Sequence, residues 1–334
     1  MVRSRYLDLL RAMAIVRVVV YHATGMALLT VLFPAMGVMF AIAGSLMAAS
    51  LDRSGWRAIG RRLRRLLPPL WAIAAFMVPA MLLTGLAADW RLALWIVPIL
   101  DPPANEWGSS ILGVVWYLRQ YLWFVLLSPP LLWLFRRYPM TTLAAPLLLL
   151  VAIESGWAPG QLRDFGLYTT CWLLGFAHHD GLLRALGRRA LIVVSGAFGV
   201  AGLGWLAVHP GPRGYDLNDI PMAHALWSVA VILVLLGFAP AALARFDRWA
   251  LGTKLVTFLN QRAVTVYLWH CAVIVGLGVV AAAIGLDSGT PTGLVIWLVL
   301  VGLGVLACTA AFGWVEDLAA RRRPALVPAA SVRS

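Results

Sequence analysis

Acidic residues are scarce in this chain, with fourteen Asp and Glu against twenty-seven Lys and Arg in 334 positions. All charged residues together make up 12% of the sequence, while 62% is hydrophobic and the mean hydropathy is +0.85. That balance excludes an ordinary soluble globular domain. Cysteine is scarcer still. Cys171, Cys271 and Cys308 lie inside apolar runs without metal-ligand spacing, so neither a disulfide framework nor a metal centre has support, and packing roles are expected. Long blocks of one charge are also missing. The net charge of +13 is spread over short Arg clusters between apolar runs, which argues against a nucleic-acid partner and for a membrane surface. A signal-peptide cleavage site is lacking too: Asp8, Arg11, Arg17 and His22 interrupt the first apolar stretch, so a retained first helix is expected.

What is present is a series of apolar runs long enough to cross a ~30 Å hydrocarbon core as helix. They fall at 11–32, 33–50, 67–87, 110–135, 141–158, 164–179, 190–208, 222–243, 263–285 and 292–314, the second and sixth being short. The stretch 89–100 is too short to cross and reads as an interfacial or re-entrant piece held by Trp90 and Trp95. The expectation is an all-α, polytopic integral membrane protein of about ten transmembrane helices. Alternating the loops from a cytoplasmic N-terminus puts about twenty Lys and Arg on one side, among them Arg3, Arg5, Arg245, Arg248 and Arg321 to Arg323. Only Arg91, Arg163 and Arg213 fall on the other. This positive-inside asymmetry predicts both termini in the cytoplasm. One transmembrane domain over 1–323 is expected, with a short disordered tail over 324–334.

Ionisable groups inside these runs are costly in lipid, by at least ~2.5 kcal/mol each at a helix centre. The first run, "RAMAIVRVVVYH", keeps several. Arg11 and His22 are eleven residues apart, hence only about 20° apart around a helix and roughly 16 Å apart along it. Asp8 lies about one turn below Arg11, and Arg17 points about 120° away. The shared face suggests a cation near the cytoplasmic mouth and a titratable base deeper in a water-accessible lumen. Snorkelling of Arg11 and a helix-to-helix hydrogen bond by His22 form the plain structural alternative.

The pattern Arg5, Asp8, Arg11, ten residues, His22 resembles the first helix of the acyltransferase-3 membrane proteins. Four further stretches are similar to that family in the same order. "FAIAGSLMAAS" at 40–50 resembles its small-residue second helix, and "RRLRRLLPPLW" at 61–71 its basic loop running into a Pro-initiated third helix. "WYLRQYLWFVLLSPPLLWL" at 116–134 resembles its Trp-rich fourth helix, and "YLWH" at 267–270 a recurrent stretch near the C-terminus. Two departures stand out. Tyr121 occupies a position where many members carry Glu, and Ala43-Gly44-Ser45 replaces the expected Ser-Gly-Phe, so no role of that Glu carries over.

The resemblance implies an enzyme of a cell membrane, a bacterial cytoplasmic membrane being expected. It would transfer an acyl group, usually acetyl, from cytoplasmic acyl-CoA as co-substrate to a hydroxyl of a carbohydrate or other acceptor, without a metal. Such chemistry needs a base, donors for the thioester oxyanion and a cradle for CoA phosphates. His22 is the candidate base or covalent acyl carrier, and Arg11, on the same helix face, is the catalytic-site candidate to hold CoA phosphate or orient the thioester. Arg61, Arg62, Arg64 and Arg65, with Arg57, form a positive patch for CoA, or equally a topology and lipid determinant. Arg119, well inside the fourth run, must meet a partner or a cavity and ranks as a further donor-site candidate. His270 with Tyr267 is either a helix-to-helix hydrogen bond or part of the site, while His178, His179 and Asp180 are expected to be solvated. Glycines 196, 199, 202 and 204 suit close helix packing. A different class stays open, a proton-coupled transporter or flippase using His22 and Arg11 along a lumen, although no matching broken helices recur in two halves.

Overall fold

The computed structural model describes residues 5–238 and 250–326, so Arg3, Arg245, Arg248, the end of the run 222–243 and most of the expected tail lie outside the described residues. Among the described residues the elements are helical. The helices are α1 (Arg5–Thr24), α2 (Leu28–Leu32), α3 (Ala35–Ser54), α4 (Arg57–Leu83), α5 (Glu106–Leu112), α6 (Val115–Arg137), α7 (Pro139–Glu154) and α8 (Arg163–His179). They continue as α9 (Leu182–Ala185), α10 (Gly187–Val208), α11 (Pro221–Gly237), α12 (Ala250–Gln261), α13 (Ala263–Ala283), α14 (Pro291–Phe312) and α15 (Trp314–Ala319).

Helix covers each apolar run, with changed limits. The first run breaks at Gly25, whose φ of +67° suits glycine and ends α1 before α2 begins. The second is a full 20-residue helix. The third starts at Arg57, ten residues before its expected limit, and continues through Pro68 and Pro69. The proline pair reads in sequence as a start signal, yet membrane helices tolerate proline where neighbouring groups satisfy the freed carbonyls. Five helical spans are long and apolar enough to cross a membrane: 28–54, 57–83, 187–208, 263–283 and 291–312. Helices α5 and α6, bent by 56° at their break, make a sixth if counted as one span. The protein is therefore a helical membrane protein. Helices α7 and α11 are apolar but shorter.

The chain divides into two compact units, one of Met1–Arg17, Gly25–Ile59 and Phe124–Arg248, the other of Val18–Thr24, Gly60–Trp123 and Trp249–Ser334. In the first unit α3 packs on α8 backbone to backbone. A methyl group added at Gly44 would collide with the Trp172 carbonyl, and one at Gly175 with the Ala41 carbonyl. Small residues at such a contact let helices approach closely in a medium with no hydrophobic drive between them. Beside it Phe40, Phe124 and the fully buried Trp172 pack edge to face or tilted, and the Trp172 indole donates to Ser128 Oγ at 3.0 Å. Arg17 in this unit donates to the Leu29 carbonyl at 3.0 Å, past the Gly25 break.

In the second unit α13 packs on α14 and on α5. Trp269 stacks on Phe312 with ring centroids 4.1 Å apart. The stretch 89–100 opens with a 3-10 turn, Trp90–Trp95, capped by Asp89. The chain then runs irregularly back along two helices. The Trp71 indole of α4 donates to the Ile96 carbonyl at 2.8 Å, the Trp123 indole of α6 to the Ile99 carbonyl at 2.9 Å, and Trp95 to the Pro103 carbonyl at 3.1 Å. Trp71 lies twelve residues, roughly 18 Å of helix, before the end of α4. The segment thus folds back alongside α4 and α6, and protein donors satisfy carbonyls of its non-helical backbone.

Candidate active site

The last turn of α1 and the first half of α13 bring two histidines together in the second unit. His22 Nδ1 lies 2.9 Å from the Val18 carbonyl, one turn back, and 3.2 Å from His270 Nε2. The rings meet edge to face, with centroids 4.9 Å apart. His270 is fully buried, and its Nδ1 lies 2.6 Å from the Tyr267 carbonyl. Cys271 Sγ sits 3.5 Å from the same Nε2 that faces His22. His22 itself is exposed on its other side, with Tyr21 edge-on at 5.3 Å. The Trp297 indole of α14 donates to the Ala23 carbonyl at 2.8 Å and so fixes the turn that carries His22.

Tyrosines connect this pair to the arginines of α4. The Tyr267 hydroxyl donates to the Val114 carbonyl at 2.8 Å, at the break between α5 and α6. Tyr117 stands 5.0 Å from the Tyr267 ring and 6.0 Å from Tyr121, whose hydroxyl accepts from Arg62 at 3.1 Å. Because α4 begins at Arg57, the cluster Arg57, Arg61, Arg62, Arg64 and Arg65 is helical rather than a loop. Arg61 and Arg65 are exposed, Arg62 and Arg64 half-buried, and Arg64 donates to the Ala319 carbonyl at 3.3 Å. Arg65 feels the charges of Arg62, Arg64 and Arg322 together, a concentration of cations that suits a polyanion.

The C-terminal segment closes this end of the unit. Buried Arg262 donates to Asp317 at 2.7 Å and to the Gly313 carbonyl at 2.8 Å, and Arg322 also pairs with Asp317 at 3.1 Å. Burial opposes ionisation of Asp317, but the hydrogen bond from Arg262, with Arg322 nearby, holds its carboxyl below the usual range. Glu316, also buried, accepts from the Thr265 backbone N–H at 2.7 Å in the first turn of α13. Burial pushes its carboxyl up to about 7, against the opposing hydrogen bonds.

Other candidates lie elsewhere. Arg11, in the first unit, is half-buried on α1. Arg119 forms an ion pair with Asp101, just past the 89–100 segment, which supplies the partner its position demanded. His178, His179 and Asp180, expected to be solvated rather than catalytic, are half-buried in the first unit and bonded to neighbours. His178 pairs with Ser45 at 2.9 Å, His179 with Asp52 at 2.8 Å, and Arg136 bridges Asp52 and Asp180 at 2.9 and 2.7 Å. The sequence reading gave no place to Arg262, Glu316 or Asp317 as a group, or to Tyr117. Only their charge or position in otherwise apolar helices signalled them.

The sequence profile of the acyltransferase-3 family, an acyltransferase domain, matches residues 4–314. Curated proteins and solved structures give no match to this chain.

Proposed function

The chain belongs to the acyltransferase-3 family, with nearly its whole length matched, and from that premise we propose a membrane O-acyltransferase that uses acyl-CoA as donor. The acyl group is acetyl in this reading, and the acceptor is a hydroxyl of a carbohydrate or other envelope or secreted molecule. The observation that carries it is the His22–His270 pair, reached through Tyr267, Tyr117 and Tyr121 from Arg62. The arginines of α4 receive the CoA phosphates, and the pantetheine arm follows the tyrosines to His22. His22 takes the proton of the acceptor hydroxyl as the oxygen attacks the thioester carbonyl carbon. Collapse of the tetrahedral intermediate breaks the C–S bond, His22 returns the proton to the sulfur, and CoA leaves as the thiol while the ester forms. Ten membrane crossings with both termini cytoplasmic belong to the same proposal, supported by the charge asymmetry of the loops.

The test uses purified protein in detergent, with acetyl-CoA and a hydroxyl acceptor and without any ion gradient. Transfer is expected, and His22→Gln, which keeps hydrogen-bonding capacity but not basicity, should lower it at least ~10²-fold. Replacing Arg61, Arg62, Arg64 and Arg65 with Gln should weaken acetyl-CoA binding and flatten its salt dependence. A folded His22→Gln protein with normal transfer would remove His22 from the mechanism. Acyl movement only with a gradient would instead support the transporter.

A further inference from the structure

We propose that His270 is a positioning residue that holds the proton of His22 on Nδ1 and thereby makes Nε2 the reacting nitrogen. The inference rests on His22 being the base, and it concerns which atom acts and what selects it.

The hydrogen bonds at the two facing nitrogens point to the tautomers. A backbone carbonyl only accepts, so the 2.6 Å contact to the Tyr267 carbonyl requires a proton on His270 Nδ1. In neutral His270 the other nitrogen, Nε2, then carries the lone pair, and it faces His22 Nδ1 at 3.2 Å. The second neighbour of that His22 nitrogen is again an acceptor, the Val18 carbonyl at 2.9 Å. With acceptors on both sides, Nδ1 of His22 carries the proton, and its Nε2 carries the lone pair.

This arrangement does for His22 what a carboxylate does for the histidine of a hydrolase triad: it fixes ring orientation and tautomer, and it accepts a hydrogen bond from the imidazolium that forms. A neutral imidazole serves here because burying an uncompensated carboxylate at this depth would be expensive. The chain of acceptors also argues against a metal on His22, His270 and Cys271, although their ligand atoms lie within 4.8 Å of one another. A metal at His22 Nδ1 would displace the proton that the Val18 carbonyl binds.

The wild-type protein in detergent, labelled with ¹⁵N-histidine, reads the tautomer directly, with the His22 signals assigned by their loss in His22→Gln. Protonated Nδ1 and unprotonated Nε2 are expected, and the reverse overturns the proposal whether or not the protein transfers acyl groups. Kinetics provide the second arm. His270→Phe removes the acceptor and should lower kcat at least about tenfold with unchanged KM for acetyl-CoA. His270→Gln, whose side-chain carbonyl can accept near the former Nε2, should recover most of the rate. Equal activity of folded His270→Phe and wild type, with His22→Gln inactive, would overturn the role of His270 and leave His22 as base. Activity in His22→Gln would instead remove the underlying reading. Stoichiometric metal in the purified protein, lost together with activity in Cys271→Ala, would replace the proposal with a metal site.

Discussion

The two units differ in what they bury. In the first, several buried hydroxyls donate to a carbonyl of their own helix, as Ser128 does to Phe124 and Thr170 to Gly166, and the buried ionisable groups include Asp216 and His224. Its large ionic network, Arg136 with Asp52, His179 and Asp180, stays partly exposed at helix ends. The second unit buries Arg262, Asp317, Glu316 and His270. A hydroxyl bonded to its own helix costs little in lipid, whereas each buried ionisable group needs a dedicated partner. The first unit thus relies on close approach of backbones where α3 meets α8, while the second sets a buried Arg262 beside two buried carboxylates and carries the histidine pair.

Substitutions that attack each construction separately test this contrast. The largest effect is expected from Gly175→Val, which forces a branched side chain into the Ala41 carbonyl and the Ser45 backbone nitrogen. A cost above ~4 kcal/mol is expected, enough to abolish a folded, monodisperse species in detergent gel filtration. Normal melting of this variant would mean that α3 and α8 do not meet through their backbones.

Next comes Arg262→Met, which takes from buried Asp317 its buried partner, leaves it the more exposed Arg322, and should cost about 3 kcal/mol, read as the loss of thermal stability. The double substitution Arg262→Met with Asp317→Leu should regain much of it, because the buried carboxylate leaves too. A double variant as unstable as the single would show that the other hydrogen bonds of Arg262, rather than the ion pair, dominate.

The smallest effect concerns pH. The carboxyl of Glu316 binds its proton more tightly in the folded protein, because burial pushes its pKa from the ordinary carboxyl range up to about 7. Its contribution is therefore fully present below about 4.5 and is lost as pH rises through about 7. Glu316→Gln should melt with a flatter pH dependence over that window and should exceed wild type above it. Identical profiles would place Glu316 in contact with water.

Much of this was legible in the sequence, for physical reasons that also set the limit. His22 and Arg119 stood out because ionisable side chains in apolar runs require partners, and the partners exist in His270 and Asp101. The family resemblance, carried by five stretches, is matched over residues 4–314. Helix limits were less legible. Pro68 and Pro69 mimic a start signal although α4 runs through them, and nothing in "LGVVW" announces a 56° bend. The partner of His22 was beyond periodicity altogether, since His270 is 248 residues away and only tertiary packing selects it.

The 89–100 segment shows how a membrane enzyme can separate shape from side-chain identity. It is suspended by indoles that grip its main chain at Ile96 and Ile99, while Ile96, Val97, Ile99 and Leu100 themselves are exposed. Main-chain carbonyls are the same whatever residue bears them. The stretch can therefore exchange its side chains, and with them what it presents to its surroundings, without losing its course. An added or deleted residue would put the carbonyls out of register with Trp71 and Trp123, so along this segment selection acts on length before it acts on composition.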